Sequence, residues 1–158
     1  MTDSPTGGIT FGLASGVITA MGLMVGLYSG THLKLVVVGG IICMAIADAF
    51  SDSFGMHVSE EAKHHPIHKH IWASTVRTFV SEFLTELTFL VPVLIFKLST
   101  AVLVGVGWGL SLLAVLSYRI ARSQGRNPFI VVGEHLLMAL LVVAATRFAG
   151  GRISHIVK

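Results

Sequence analysis

The stretch Ala45–Glu86, AIADAFSDSFGMHVSEEAKHHPIHKHIWASTVRTFVSEFLTE, decides how the rest of the chain is read. Two apolar segments flank a histidine-rich connection, and each carries a carboxylate pair: Asp48 and Asp52 in the first, Glu82 and Glu86 in the second. The i,i+4 spacing puts both members of a pair on one face of a helix. The pairs stand nearly symmetrically about Ile67. Folded back as an antiparallel hairpin, the stretch therefore brings Asp48 to the depth of Glu86, and Asp52 to that of Glu82.

The composition places this hairpin in a membrane. Hydrophobic residues make up 53% of the chain and charged residues only 12%, with a mean hydropathy of +0.81. Those values lie outside the range of soluble domains. The 158 residues leave room for one integral membrane domain and no separate soluble one. The net charge of +3 does not argue for nucleic acid, because the basic residues cluster at helix ends and connections. Cys43 is the single cysteine, so no intrachain disulfide is expected, and its apolar surroundings suggest a small packing residue. The start Met1-Thr2-Asp3-Ser4 lacks a basic n-region, so the first apolar run is read as structure rather than as a cleaved signal.

A spanning helix needs about 20 mainly apolar residues. Five segments reach that length, at residues 9–28, 33–55, 75–96, 100–119 and 129–148. The fold expected is all-α, a five-helix transmembrane bundle with short connections and sequential antiparallel neighbours. The longest connection, residues 56–74, is the histidine-rich one. Lys63, Lys69 and Arg77 near it, with Arg119, Arg122 and Arg126 in the fourth connection, outweigh Lys34 and Lys97 on the other side. That bias predicts a cytoplasmic N-terminus and a cytoplasmic histidine-rich loop. Arg147, Arg152 and Lys158 weigh the other way.

The first segment carries Gly12, Gly16, Gly22, Gly26 and Gly30, forming three G-x-x-x-G repeats. Small residues at this spacing let a second helix backbone approach closely, either within the chain or across a dimer interface. Trp72 fits an interfacial anchor, whereas Trp108, in mid-helix, is expected to pack. Glu134 and His135 fall near the headgroups at the start of the fifth segment, where Glu134 has basic partners in the fourth connection. Arg147, near the other end of that segment, is placed to snorkel.

Asp48, Asp52, Glu82 and Glu86 are the candidate site. An ionised carboxylate at the centre of a membrane helix costs on the order of 3 kcal/mol on insertion scales. No lysine or arginine falls at their level in the sequence, so either the groups are protonated or they surround a cation. Carboxylate oxygens suit Mn²⁺, Mg²⁺, Ca²⁺ and Fe²⁺, and a thioether would favour Fe²⁺ or Mn²⁺. Met44 and Met56 each lie four residues from an aspartate on the same face, as further ligands or as packing. In the connection, His57, Glu60, Glu61, His64, His65, His68 and His70 combine imidazole and carboxylate, which suits first-row metals. This segment reads as a metal-collecting mouth or as a solvated turn at the headgroups. No catalytic constellation is recognisable, and an enzyme is not expected.

The chain resembles the vacuolar iron transporter family of Fe²⁺/Mn²⁺ transporters, over all five segments. Ser15-Gly-Val-Ile-Thr19 followed by Gly22 and Gly26 is similar to the family's first-helix pattern D-G-x-x-T-x-x-G-x-x-x-G. Ala47–Gly55 and on to Ser59 resembles its small-residue second helix ending in G-x-x-x-S. Leu90-Val-Pro92 resembles its proline-containing third span, and Ala144–Gly150 its glycine-terminated fifth. The resemblance implies a homodimer with a pathway between protomers, and proton-coupled export of Fe²⁺ or Mn²⁺ from the cytoplasm with no permanent cofactor. Two departures stand out. The family's first-helix aspartate is Ser15 here, and its second-helix methionine position aligns with Asp52. The family's long acidic cytoplasmic insertion is also absent, leaving the short histidine-rich connection in its place. The four carboxylates then read as a rebuilt site. Reading the residues without the resemblance leaves a metal-sensing or partner-docking membrane subunit, or a cation channel, as alternatives.

Overall fold

A computed structural model describes residues 7–63 and 67–156. Every element among them is helical: α1 (Gly7–Thr31), α2 (Lys34–Glu61), α3 (His68–Thr88), α4 (Leu90–Ile95), α5 (Leu98–Ser123) and α6 (Pro128–Ile156). Five helical stretches are long and apolar enough to cross a bilayer, with α3 and α4 together forming the third. This architecture fits a multi-pass integral membrane protein.

Each of the five spans extends past its expected range at one end or both. A helix satisfies its own backbone hydrogen bonds, so it runs on through the headgroup zone until a residue stops it. The change is largest at the histidine-rich segment. Residues 56–74, expected as a loop, belong mostly to α2 and α3, and the connection shrinks to Ala62–Ile67. Met56–Glu61 contains no helix breaker, which lets α2 continue to its C-cap at Ala62. Between α1 and α2 only His32 and Leu33 intervene. His32 turns the chain with a left-handed φ of 55°, and its N–H closes on the Tyr28 carbonyl at 3.0 Å.

The third span, expected to be continuous, is broken. Proline lacks an N–H, and its ring clashes with the carbonyl four residues back. Pro92 accordingly disturbs the ladder at Thr88, and the Phe89 N–H bonds the Glu86 carbonyl at 3.0 Å in a tighter turn. The break falls one turn after Glu86.

α1 is the centre of the bundle and packs against α2, α3, α5 and α6. Its glycine stripe is occupied from within the chain. The N-terminal part lies against α3, where a Cβ on Gly16 would stand 3.2 Å from both the Glu82 carbonyl oxygen and Glu86 Cγ. The C-terminal part faces α6, where Gly22 and Gly26 meet Val142 and Thr146, and Gly30 meets Gly150. Below the carboxylates an apolar core joins Met21, Met24, Ile41, Phe89, Val93 and Leu113.

Two packing expectations are corrected. Cys43 is exposed, because the buried positions of α2 are Val37, Ile41, Ala45, Ala49 and Ser53, and Cys43 lies off that stripe. Trp108 is 44% exposed, and its Nε1–H donates to Thr88 Oγ1 at 3.0 Å. Its neighbours Gly105 and Gly109 take the buried side of α5.

Candidate metal centre

The site is assembled by three helices. α2 contributes Asp48 and Asp52, α3 contributes Glu82 and Glu86, and α1 contributes hydroxyls at Ser15 and Thr19. Asp48, Glu82 and Glu86 each offer a carboxylate oxygen, and these oxygens all lie within 4.8 Å of one another. Both glutamates are fully buried and Asp48 is half-buried. Glu82 Oε1, Glu82 Oε2 and Glu86 Oε2 have no hydrogen-bond partner. Buried polar atoms are nearly always satisfied, so three unpartnered carboxylate oxygens in one place mark a site built for something further.

Asp52 is not part of the trio but lies beside one of its members, Glu82. Ser15 Oγ donates to its Oδ2 at 2.6 Å, which ties the carboxylate to α1. It remains close enough to Glu82 to interact electrostatically, as Asp48 does with Glu86. The hairpin symmetry about Ile67 thus yields both rungs, with three members drawn together and the fourth held beside them.

The Thr19 hydroxyl lies 2.9 Å from the Ser15 carbonyl and 3.0 Å from Glu86 Oε1, with the Asp48 carboxylate also near it. An ionised Glu86 accepts a hydrogen bond from the Thr19 hydroxyl. A protonated Glu86 donates instead to Thr19 Oγ1, and Thr19 then donates to Ser15. The hydroxyl serves either state without leaving an orphaned group. Gly16 is what allows this closeness, because any side chain there would push against Glu82 and Glu86.

Oxygens around a first-row divalent ion at about 2.1 Å stand no more than about 4.2 Å apart when opposite one another. A set within 4.8 Å therefore closes on such an ion through small side-chain rotations. The donors are hard, which suits Mn²⁺, Fe²⁺ or Mg²⁺. Met44 packs with the apolar core, while Met56 is half-buried one turn beyond Asp52. With Asp48 and Asp52 they form a half-buried ladder along α2.

The histidine-rich segment is dispersed. His57 lies on α2, where its Nδ1 is 3.1 Å from Thr75 Oγ1 and its ring meets Trp72 edge-on at 4.9 Å. Thr75 Oγ1 also lies 2.8 Å from the Ile71 carbonyl, to which its hydroxyl can donate. Glu60 is paired with Lys63 at 2.7 Å, and Glu61, His68 and His70 are exposed. His64 and His65 lie outside the described residues. Among the described residues the carboxylate trio is the one cluster of three or more metal-binding side chains, and none of these histidines joins it. At the same end of the bundle, Glu134 meets Arg126 at 3.7 Å, as its position suggested.

Ser15 and Thr19 were not read as site residues from the sequence alone. The signal was present: both lie on α1 at i,i+4, beside Gly12 and Gly16, as a polar stripe on an otherwise apolar helix. Comparison of the chain with models of known families, with curated proteins and with solved structures finds no match in any of the three. The functional reading therefore rests on the geometry and on the motif resemblance.

Proposed function

We propose that this protein is a membrane transporter of a divalent transition-metal ion, Fe²⁺ or Mn²⁺, exchanging it against protons and exporting it from the cytoplasm. One observation carries the reading: three carboxylates meet in the middle of an apolar bundle, and three of their oxygens are buried without partners. Leaving them ionised and empty would cost several kcal/mol per group. A divalent cation or protons remove that cost, and alternation between the two is the elementary cycle of an exchanger. The resemblance to vacuolar iron transporters supports the same ions, a homodimer and a cytoplasmic histidine-rich end.

In this mechanism Asp48, Glu82 and Glu86 hold the ion, and Thr19 supports Glu86 in either protonation state. Ser15 holds Asp52 beside the trio, where it can relay protons. Asp52 thus replaces the aspartate that the family pattern places on the first helix.

The test is uptake of Fe²⁺ and Mn²⁺ into proteoliposomes under an imposed pH gradient, with a lumenal pH dye. Metal flux coupled to opposing proton movement is expected, with at least a tenfold loss in Asp48→Asn and Glu86→Gln. Flux indifferent to both substitutions would overturn the site. Metal flux without proton movement would make the protein a channel. Metal binding without flux would make it a sensor.

A further inference from the structure

The end of the bundle opposite the histidine-rich connection carries a second feature, independent of the carboxylate site. α6 continues to Ile156, well past its apolar stretch. On one of its faces Arg147, Phe148, Gly151, Arg152 and His155 line a shallow, open cleft of about 580 Å³ formed by α6 alone. The Arg152 guanidinium lies over the Phe148 ring, 5.1 Å from its centre. Arg147, Arg152 and His155 are all exposed.

Depth identifies the surroundings. Arg147 stands at the end of the apolar segment 129–148, where a helix of about 20 apolar residues has crossed the hydrocarbon. The cleft then occupies the next 12 Å or so, which is headgroup territory. The charge at this end has one sign. Lys34 and Lys97 stand at the same end, at the starts of α2 and α5. Among the described residues no carboxylate does: Glu60, Glu61 and Glu134 are at the opposite end, and Asp48, Asp52, Glu82 and Glu86 are mid-bundle. Lys34 is engaged, donating to the Leu94 and Phe96 carbonyls, which leaves exposed Lys97 and the α6 arginines as the cations to offer, and only the arginines lie side by side on one helix face.

Directly below the cleft, the same side of α6 exposes Leu140 and Leu141, continuous with Phe148 of its lining. A cationic cradle above a lipid-facing apolar stripe matches an amphiphile with an anionic head, and a soluble anion would leave the stripe unused. We propose that this cleft is a binding site for an anionic phospholipid, with the headgroup phosphate between Arg147 and Arg152. His155 adds a ring N–H, and the acyl chains run along Leu141 and Phe148. Guanidinium groups suit the task because they present forked donors to phosphate oxygens.

The experiment is native mass spectrometry of the full chain in detergent, titrated with dioleoyl phosphatidylglycerol or dioleoyl phosphatidylcholine. Phosphatidylglycerol is expected to bind in preference. Its affinity should fall about fivefold in Arg147→Gln or Arg152→Gln, and about 25-fold in the double variant, from the contribution of each basic residue at a membrane surface. Replacing both arginines by lysine should restore most of the affinity. If the double glutamine variant does not fold, Arg152→Gln, on the exposed last turns of α6, carries the test alone. Equal binding of the two lipids, or full phosphatidylglycerol binding by the glutamine variants, would overturn the proposal. Displacement of the lipid by millimolar inorganic phosphate would also overturn it, as the mark of a soluble-anion site.

Discussion

Thr19 and Ser15 show how much of a buried acidic site is carried by neutral residues. Neither bears charge, yet each fixes one carboxylate oxygen at hydrogen-bond distance. Removing the Thr19 hydroxyl while keeping its shape, in Thr19→Val, leaves Glu86 Oε1 without its donor. Loss of such a supporting contact typically weakens metal affinity 10- to 100-fold. Flux measured against Mn²⁺ concentration should show a KM about tenfold higher. Asp52→Asn, outside the trio, should cost less metal affinity than Asp48→Asn and more proton coupling, which the lumenal dye separates. His32 offers a test of a different kind. Its left-handed φ costs a residue with a Cβ roughly 1 kcal/mol that glycine does not incur. His32→Gly should therefore raise the melting temperature in detergent.

At the scale of elements, the glycine repeats of α1 were open between packing and a dimer interface, and the structure uses them inside the chain. Both helices give way at the α1–α6 crossing, where Gly30 meets Gly150 and a Cβ on Gly150 would strike the Gly26 carbonyl. Gly150→Leu should destabilise the protein by about 1–3 kcal/mol, the usual cost of overpacking, read as a lower melting temperature. Gly16→Ala should cost a similar amount and also disturb the site, since the new methyl meets Glu82 and Glu86. The spans themselves were legible because length and hydropathy decide them. Their ends were not, because nothing in a polar sequence tells a helix to stop where the hydrocarbon does. The interruption after Glu86 was foreshadowed by Pro92 but not placed, since a proline acts on the carbonyl a full turn earlier. The i,i+4 carboxylate pairs and their symmetry about Ile67 carried the site. What symmetry could not reveal was that one of the four would be held outside the trio, because that depends on Ser15 in a different helix.

For the whole molecule, a ligand that binds only the folded bundle stabilises it by mass action. At a hundred times its dissociation constant, a metal ion adds about 2.7 kcal/mol. Mn²⁺ should raise the melting temperature of the purified protein, EDTA should reverse the shift, and Glu82→Gln should abolish most of it. The trio has an electrical consequence as well. Three ionised carboxylates carry −3 and a divalent ion +2, so a neutral loaded site keeps one proton, whereas a neutral empty site holds three. On the proposed mechanism each ion then exchanges for two protons, and the cycle moves no net charge across the bilayer. Clamping the voltage with potassium and valinomycin should therefore leave the rate unchanged, and the ion gradient should be set against pH alone.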